Sequence, residues 1–317
     1  GGRLMHELIG TLRRQFSNKA LDELADAAEL TIGKARLSFS TDSYVVKPLF
    51  FPGGDIGKLA VCGTVNDIAM KGAKPLFLSL SFIIEEGLDV EVFEKVCASI
   101  RREARQAGVT VVTGDTKVVE RGAADKLFIN TSGIGLIYKQ ARITSRAKPG
   151  DVIVINGPIA EHGIAVFNAR NNMGFSSRIK SDCRSLAADV ARCCAASDRI
   201  RVMRDPTRGG LATTLNEIAL SSNAGIEIDE KSIPIAVSVK RLSDVLGLDP
   251  LYMANEGKFV CFVDSAHAQR LVKAMGRQAR IIGRVVSAGR KQVRLNTAIG
   301  SSRILPMLEG EQLPRIC

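Results

Sequence analysis

The sequence predicts an α/β protein built as two domains, and three observations carry that prediction. Its 317 residues exceed what one hydrophobic core usually organises. Apolar residues make up 45% of the chain, enough for real cores and too many for a disordered protein. Strand-like and helix-like periodicities follow one another along the chain, as in an α/β sandwich and unlike a classical nucleotide-binding sheet.

Leu4 to Leu30 reads as an amphipathic helix. Leu37 to Asp42 reads as a strand ending in a polar cluster and continuing at Tyr44. Pro48 to Gly57 is a loop rich in Pro and Gly, and Lys58 to Gly72 is helical, with apolar residues at 59, 62, 65, 68 and 69. Leu76 to Ile84 is a strand. Val90 to Ala107 puts Val90, Phe93, Val96, Cys97, Ile100 and Ala104 on one helix face, and Gly108 stops it. Val109 to Thr113 and Leu127 to Tyr138 are further strands. The turn cluster Lys148-Pro-Gly-Asp151 divides a first domain, 1–148, from a second, 149–305, which opens on the buried strand Val152 to Asn156. In that second domain helices are expected at 162–172, 185–197, 209–221 and 265–276, and strands at 225–229, 258–264, 279–286 and 291–296. Residues 306–317 hold two Pro and a Gly without periodicity and predict a mobile tail.

A net charge of +11 raises the question of nucleic acid. The basic residues are scattered, and only 5% of the chain is aromatic, so base-stacking platforms are scarce. Nucleic-acid binding is set aside in favour of an anionic small ligand. No apolar run reaches the roughly 18–20 residues of a membrane span. The start has no initiator Met and no signal-like segment, which reads as a chain beginning inside a longer one. Seven Cys without a CxxC pair suit reduced thiols and a cytoplasmic location. Three isolated His give a zinc site little support.

The loop Gly53-Gly-Asp-Ile-Gly57-Lys58 fails as a P-loop: its spacing is one residue short, and Leu59 stands where Ser or Thr is needed. Acidic residues at element ends say more. Asp42 closes a strand, Asp67 interrupts an apolar helix, Asp115 follows a strand with Lys117 two residues on, and Asp205 precedes a helix. Carboxylates are hard ligands of the kind that hold Mg²⁺ on nucleotide phosphates. Arg208, Gly209 and Gly210 add a helix start with free N–H groups. Taken singly, Asp42 and Asp115 suit turns and Asp205 suits a helix N-cap. Asp67 resists such a reading, because an unpaired carboxylate in an apolar helix is costly.

Phe39-Ser-Thr-Asp-Ser-Tyr-Val-Val, Pro48 to Ala60, Thr64-Val-Asn-Asp-Ile-Ala, Val112-Thr-Gly-Asp-Thr-Lys-Val-Val, Asp125 to Thr131, Arg204-Asp-Pro-Thr-Arg-Gly-Gly, Ala254-Asn-Glu-Gly-Lys and the terminal Leu313-Pro-Arg-Ile-Cys317 together carry a resemblance. The chain resembles the HypE family of hydrogenase maturation factors, within the AIR-synthetase (PurM-like) superfamily, over nearly its whole length. The resemblance implies a PurM-like two-domain fold. A ferredoxin-like N-terminal sheet forms a barrel in a homodimer, and a C-terminal α/β domain closes over ATP. It implies that Cys317 takes a carbamoyl group from the carbamoyltransferase HypF. ATP then drives its dehydration to a thiocyanate, and the HypC–HypD complex accepts the cyano group. Asp42, Asp67, Asp115 and Asp205 are the implied Mg²⁺ and phosphate residues. Lys58, Thr64, Thr116, Asn130, Arg208, Gly209 and Gly210 join them around ATP. Glu256 and Lys117, with Asp67, are the implied proton acceptors, and the choice among them stays open. The Gly-rich segment that opens the family resembles Gly1-Gly2 at its end, which implies part of a nucleotide lid ahead of residue 1. A selenophosphate synthetase or AIR synthetase would share the aspartates without the terminal Pro-Arg-Ile-Cys, and a basic binding protein would turn nothing over.

Overall fold

The computed structural model describes residues 2–16, 18–23, 25–173 and 179–308. Its first half holds α1 (Gly2–Phe16), α2 (Lys19–Asp22), β1 (Ala28–Ile32), β2 (Ala35–Tyr44), the hairpin β3 (Phe50–Phe51) and β4 (Gly54–Asp55), α3 (Ile56–Met70), β5 (Ala73–Glu85), α4 (Val90–Ala107), β6 (Thr110–Val119) and β7 (Leu127–Ile137). A five-stranded sheet runs β1-β2-β7-β5-β6, antiparallel except where β5 and β6 pair in parallel across α4. In the second half come β8 (Val152–Ile155), α5 (Glu161–Asn171), α6 (Ala187–Ala196), β9 (Ile200–Arg204), α7 (Gly210–Ser222), β10 (Ala224–Asp229), α8 (Val237–Leu246), β11 (Val260–Val263), α9 (Ala268–Met275), β12 (Arg280–Ala288), β13 (Val293–Asn296) and β14 (Ser302–Leu305). Its seven-stranded sheet has the order β14-β13-β10-β12-β8-β11-β9.

The helix α3 positions the site. Asp55 caps it, accepting from the Lys58 amide at 3.0 Å, and the Ser99 hydroxyl fixes the other carboxylate oxygen at 2.7 Å. Apart from Lys58 and Asp67, every residue of α3 is buried. A helix apolar on all sides must be enclosed on all sides: α3 lies between the first sheet and the second half of the chain. One continuous core joins its Leu59, Val65 and Ile68 to Leu186, Val190, Met203 and Phe259 of the second half. Each such buried side chain is worth about 1.5–3 kcal/mol.

Strand alternation sorts the first sheet into two faces. Ser38, Ser40, Asp42 and Tyr44 of β2 face α3, where the Ser38 hydroxyl donates to the Ile68 carbonyl and the Tyr44 phenol meets Thr64. The other face carries exposed Leu30, Ile32, Phe39, Phe77, Ile83, Ile134 and Leu136.

Several sequence expectations change. Residues up to Leu30 do not stay helical, because Ala28–Ile32 pairs with β2, and that tertiary pairing overrides an Ala-rich local preference. The strand at 109–113 extends to Val119 on parallel pairing with β5, so Asp115 lies within it. Gly209, in left-handed conformation at φ 76°, caps α7, so Asp205 is not its N-cap. β9, α8 and β14 had no counterpart in the sequence reading. The last of the expected tail, including Cys317, lies outside the described residues.

Candidate active site

The acidic residues meet where α3 and β2 face the turn between β9 and α7. Asp67 accepts from the Ser40 hydroxyl at 2.8 Å. Asp205 is buried, and Asp26, just ahead of β1, forms an ion pair with Arg204, which also holds Glu217 at 2.8 Å. Arg208 is close enough to act electrostatically on Asp42. Desolvation pushes Asp205 up to about 8, with repulsion from Asp26 adding to it and Arg204 opposing it. Desolvation likewise pushes Asp26 up to about 6, against the pull of Arg204. Burial and the charges of Asp205, Asp26 and Asp42 raise the Asp67 carboxyl well above the usual carboxylate range. Asp42 stands at the exposed rim, yet the protein on its inner side raises it too, through desolvation first. Glu256 completes the group: it is 3% exposed, its Oε1 has no hydrogen-bond partner, and burial followed by repulsion from Asp205 and Asp182 raises it strongly.

Glu256 is held by its backbone. Its amide and that of Gly257 donate to Asp182 at 3.1 and 3.2 Å, and Lys258 pairs with the same carboxylate at 3.2 Å. Asn66, next to Asp67, donates to the Glu256 carbonyl at 3.3 Å and the Arg184 carbonyl at 3.1 Å, and accepts from the Leu186 amide at 2.7 Å. Asn255 donates to the Pro206 carbonyl at 2.9 Å. Gly210 enters α7 at φ +62°, and a Cβ there would come within 2.5 Å of the Met253 carbonyl oxygen, so the helix start needs glycine.

The other expected residues lie elsewhere. Thr64 is fully buried, and its hydroxyl is used by Tyr44 at 3.0 Å and Thr131 at 2.5 Å, so it belongs to the core between helix and sheet. Lys58 closes its own loop by donating to the Gly53 carbonyl at 3.2 Å, and a Cβ on Gly53 would strike the Ser181 amide at 2.7 Å. That loop packs against protein. Asn130 stands on the sheet face away from α3, donating to the Asp42 carbonyl at 2.9 Å and the Ser43 hydroxyl at 3.0 Å. Asp115 shares a register row with Ser81, Asn130 and Ser43 on that same face, and pairs with Lys117 at 3.3 Å. Thr116 is exposed between them. Asp42, Asp67, Asp205, Glu256 and Arg208 are thus gathered, whereas Asp115 and Lys117 are not. Sequence reasoning missed Asp26, Asp182 and Asn66. Only Asn66 carried a signal, its place beside Asp67 in an apolar helix.

Two family models divide the chain: AIR synthase related protein, N-terminal domain, matches residues 24–137, and the C-terminal domain of the same description matches 148–296. Carbamoyl dehydratase HypE of Rhodobacter capsulatus is 48% identical over 326 residues, covering 100% of this chain and 96% of that protein. The chain belongs to the HypE family. Among solved HypE structures, that of a HypE–HypF complex superposes with a TM-score of 0.91 at 45% identity, covering 97% of this chain and 100% of that one. A HypE in complex with ATP superposes with a TM-score of 0.87 at 48% identity, covering 100% of this chain and 98% of the other. The HypE fold is therefore the PurM-like pair of α/β domains expected from the sequence.

Proposed function

We propose that this chain is an ATP-dependent carbamoyl dehydratase that carries its substrate on Cys317. The observation that carries the reading is the group of mutually repelling carboxylates, Asp42, Asp67 and Asp205, beside the buried and unpartnered Glu256. A HypF-type carbamoyltransferase loads the Cys317 thiol. The carbamoyl oxygen attacks the γ-phosphorus of ATP, releasing ADP, and the nitrogen gives up a proton. Loss of the second N–H proton with cleavage of the C–O bond expels phosphate and leaves Cys–S–C≡N. The cyano group then passes to a HypC–HypD acceptor.

Glu256 suits the proton-accepting role. Once ionised it is a strong carboxylate base, because burial and repulsion reward its taking a proton. Asn66 and Asp182 hold its backbone still. The donor set around it consists of hard oxygens, and Asp26 Oδ2 is buried without a hydrogen-bond partner, so the site fits Mg²⁺ carried on nucleotide phosphates. Among the described residues no three His, Cys, Asp or Glu side chains could hold a metal ion by themselves, consistent with phosphate oxygens supplying the remaining ligands. Asp42, Asp67 and Asp205 would each offer a carboxylate oxygen to such phosphate-borne ions without any three of them closing on one, while Arg208, Gly209 and Gly210 would face the phosphates from α7.

The exposed apolar face of the first sheet supports a homodimer in which two such faces pack. Asp115, Lys117 and Asn130 then act from that interface, Lys117 as a point charge toward phosphate, and Thr116 from the edge strand between them. The domains run 1–148 and 149–305 with a carrier tail from 306, in the cytoplasm. The test is mass spectrometry of the C-terminal peptide after incubation with HypF, carbamoyl phosphate and ATP. A carbamoyl adduct on Cys317 that loses one water only with Mg-ATP is expected; an unmodified Cys317 in active mixtures refutes the reading.

A further inference from the structure

The last described strand does not end freely. Beyond β13 it is tied down at three successive points. Arg303 pairs with Asp249 at 3.2 Å, the buried Asn216 of α7 donates to the Leu305 carbonyl at 2.9 Å, and the Tyr252 hydroxyl donates to the Pro306 carbonyl at 2.9 Å. Two of these ties come from one short turn, Pro250–Tyr252, which Asp249 itself caps by accepting from the Leu251 amide at 2.9 Å. The same turn presses against the start of α7: a Cβ on Gly210 would meet the Leu251 carbonyl oxygen at 2.7 Å. Four residues further on, the segment reaches Glu256, anchored on the way by Asn255 to Pro206. The root of the C-terminal segment and the helix start beside Arg208 thus both pack on the stretch of chain, 249–256, that carries Glu256.

We propose that the 249–252 turn is a clamp for the carrier segment, with Tyr252 and Asp249 fixing where the chain leaves β14 and in which direction. This rests on the reading of Cys317 as carrier. Chain lengths show what the clamp is for. Tyr252 lies at most about 14 Å of extended chain from Glu256, whereas the eleven steps along the chain from Pro306 to Cys317 span up to about 36–40 Å. Reach is ample, so a fixed root serves delivery: it confines the arm's origin beside the site and raises the effective concentration of the thiocarboxamide there. Pro306 adds to this, because its fixed φ turns one carbonyl tie into a set exit direction. Tyr252 is a positioning residue and touches no reacting atom.

Two measurements on Tyr252→Phe test the clamp. The first compares dehydration in cis and in trans. Single-turnover conversion of full-length chain carbamoylated on Cys317 is expected to slow about three- to ten-fold, the span of one lost hydrogen bond. Conversion of a free carbamoylated peptide of residues 306–317 by full-length Cys317→Ser protein is expected to be the same with or without Tyr252→Phe. Equal slowing in both formats, or none in either, overturns the proposal. The second is hydrogen exchange of the peptide spanning 304–308, which is expected to accelerate in Tyr252→Phe; unchanged exchange overturns the clamp whatever the chemistry. Accelerated exchange in a protein whose Cys317 takes no carbamoyl group sinks the carrier reading and supports the clamp.

Discussion

Replacing Asp205 with Asn should stabilise the ligand-free protein at neutral and mildly alkaline pH. The unfolded chain ionises this carboxyl near 3.8, whereas in the folded protein burial raises it to about 8. At pH 7 the native state therefore keeps a proton that the unfolded state has released. The roughly three pH units between 3.8 and 7 correspond to about 4 kcal/mol of lost stability, at about 1.4 kcal/mol per unit. That value already contains the repulsion of Asp26 and the pull of Arg204, and a buried amide carries a burial cost of its own, so about half of that figure, roughly 2 kcal/mol, should be recovered by the amide. In a chain of this size that is a rise of about 3 °C in Tm. The sign fixes the pH window. A raised native pKa leaves stability intact below 3.8, erodes it as pH climbs from there to about 8 and costs nothing further above that, so wild type should lose Tm between about pH 5 and 8 and Asp205→Asn should lose less. Differential scanning calorimetry of both proteins without nucleotide across that range is the assay. A lower Tm for the variant at pH 8, or the same slope in both proteins, would refute the argument that repulsion and burial strain this site.

Further outcomes follow from the same geometry. Asp67→Asn should accept a carbamoyl group on Cys317 yet stall before dehydration, read by mass spectrometry; normal turnover would remove Asp67 from the site. Glu256→Gln should lower single-turnover dehydration by about 10²-fold or more with ATP affinity kept in calorimetric titration, whereas loss of ATP binding would make Glu256 a nucleotide contact instead. Thr64→Val should cost about 1–3 kcal/mol by leaving Tyr44 and Thr131 short of a partner, with ATP affinity unchanged; weakened ATP binding alone would return Thr64 to the nucleotide site. Phe77→Asp should shift the protein to monomer in analytical ultracentrifugation, and a persistent dimer would mean that subunits meet elsewhere.

Much of this was legible in the sequence where local and global demands agree. Helix α3 shows itself by spacing, and Asp67 stands out because nothing in an apolar helix accounts for a carboxylate. Gly209 and Gly210 announced a backbone feature, since their positive φ favours glycine and a Cβ on either would clash. What stayed hidden depends on distant partners. Asp26 sits in an Ala-rich stretch that reads as ordinary helix, and it gains meaning only from Arg204, far along the chain. β14 is a short edge strand whose pairing to β13 and ties to Tyr252 and Asn216 leave no local pattern. The placement of Asp115 on the far face follows from the register of β5 and β6, which no periodicity in a single strand can give.

Asn66 has a consequence for how the two halves can move. One amide on α3 holds the Glu256, Arg184 and Leu186 backbones, and the surrounding core is continuous across both halves. Asp67 and Glu256 therefore ride on a single mechanical part, although they come from opposite ends of the sequence. Opening the halves like a book would break three hydrogen bonds, two of them buried, and tear apolar contacts at once. The placing of Asp67 against Glu256 is thus set by the folding of the chain itself. The resemblance led us to expect a second domain that closes over ATP; these ties between the two halves oppose a hinge at that seam.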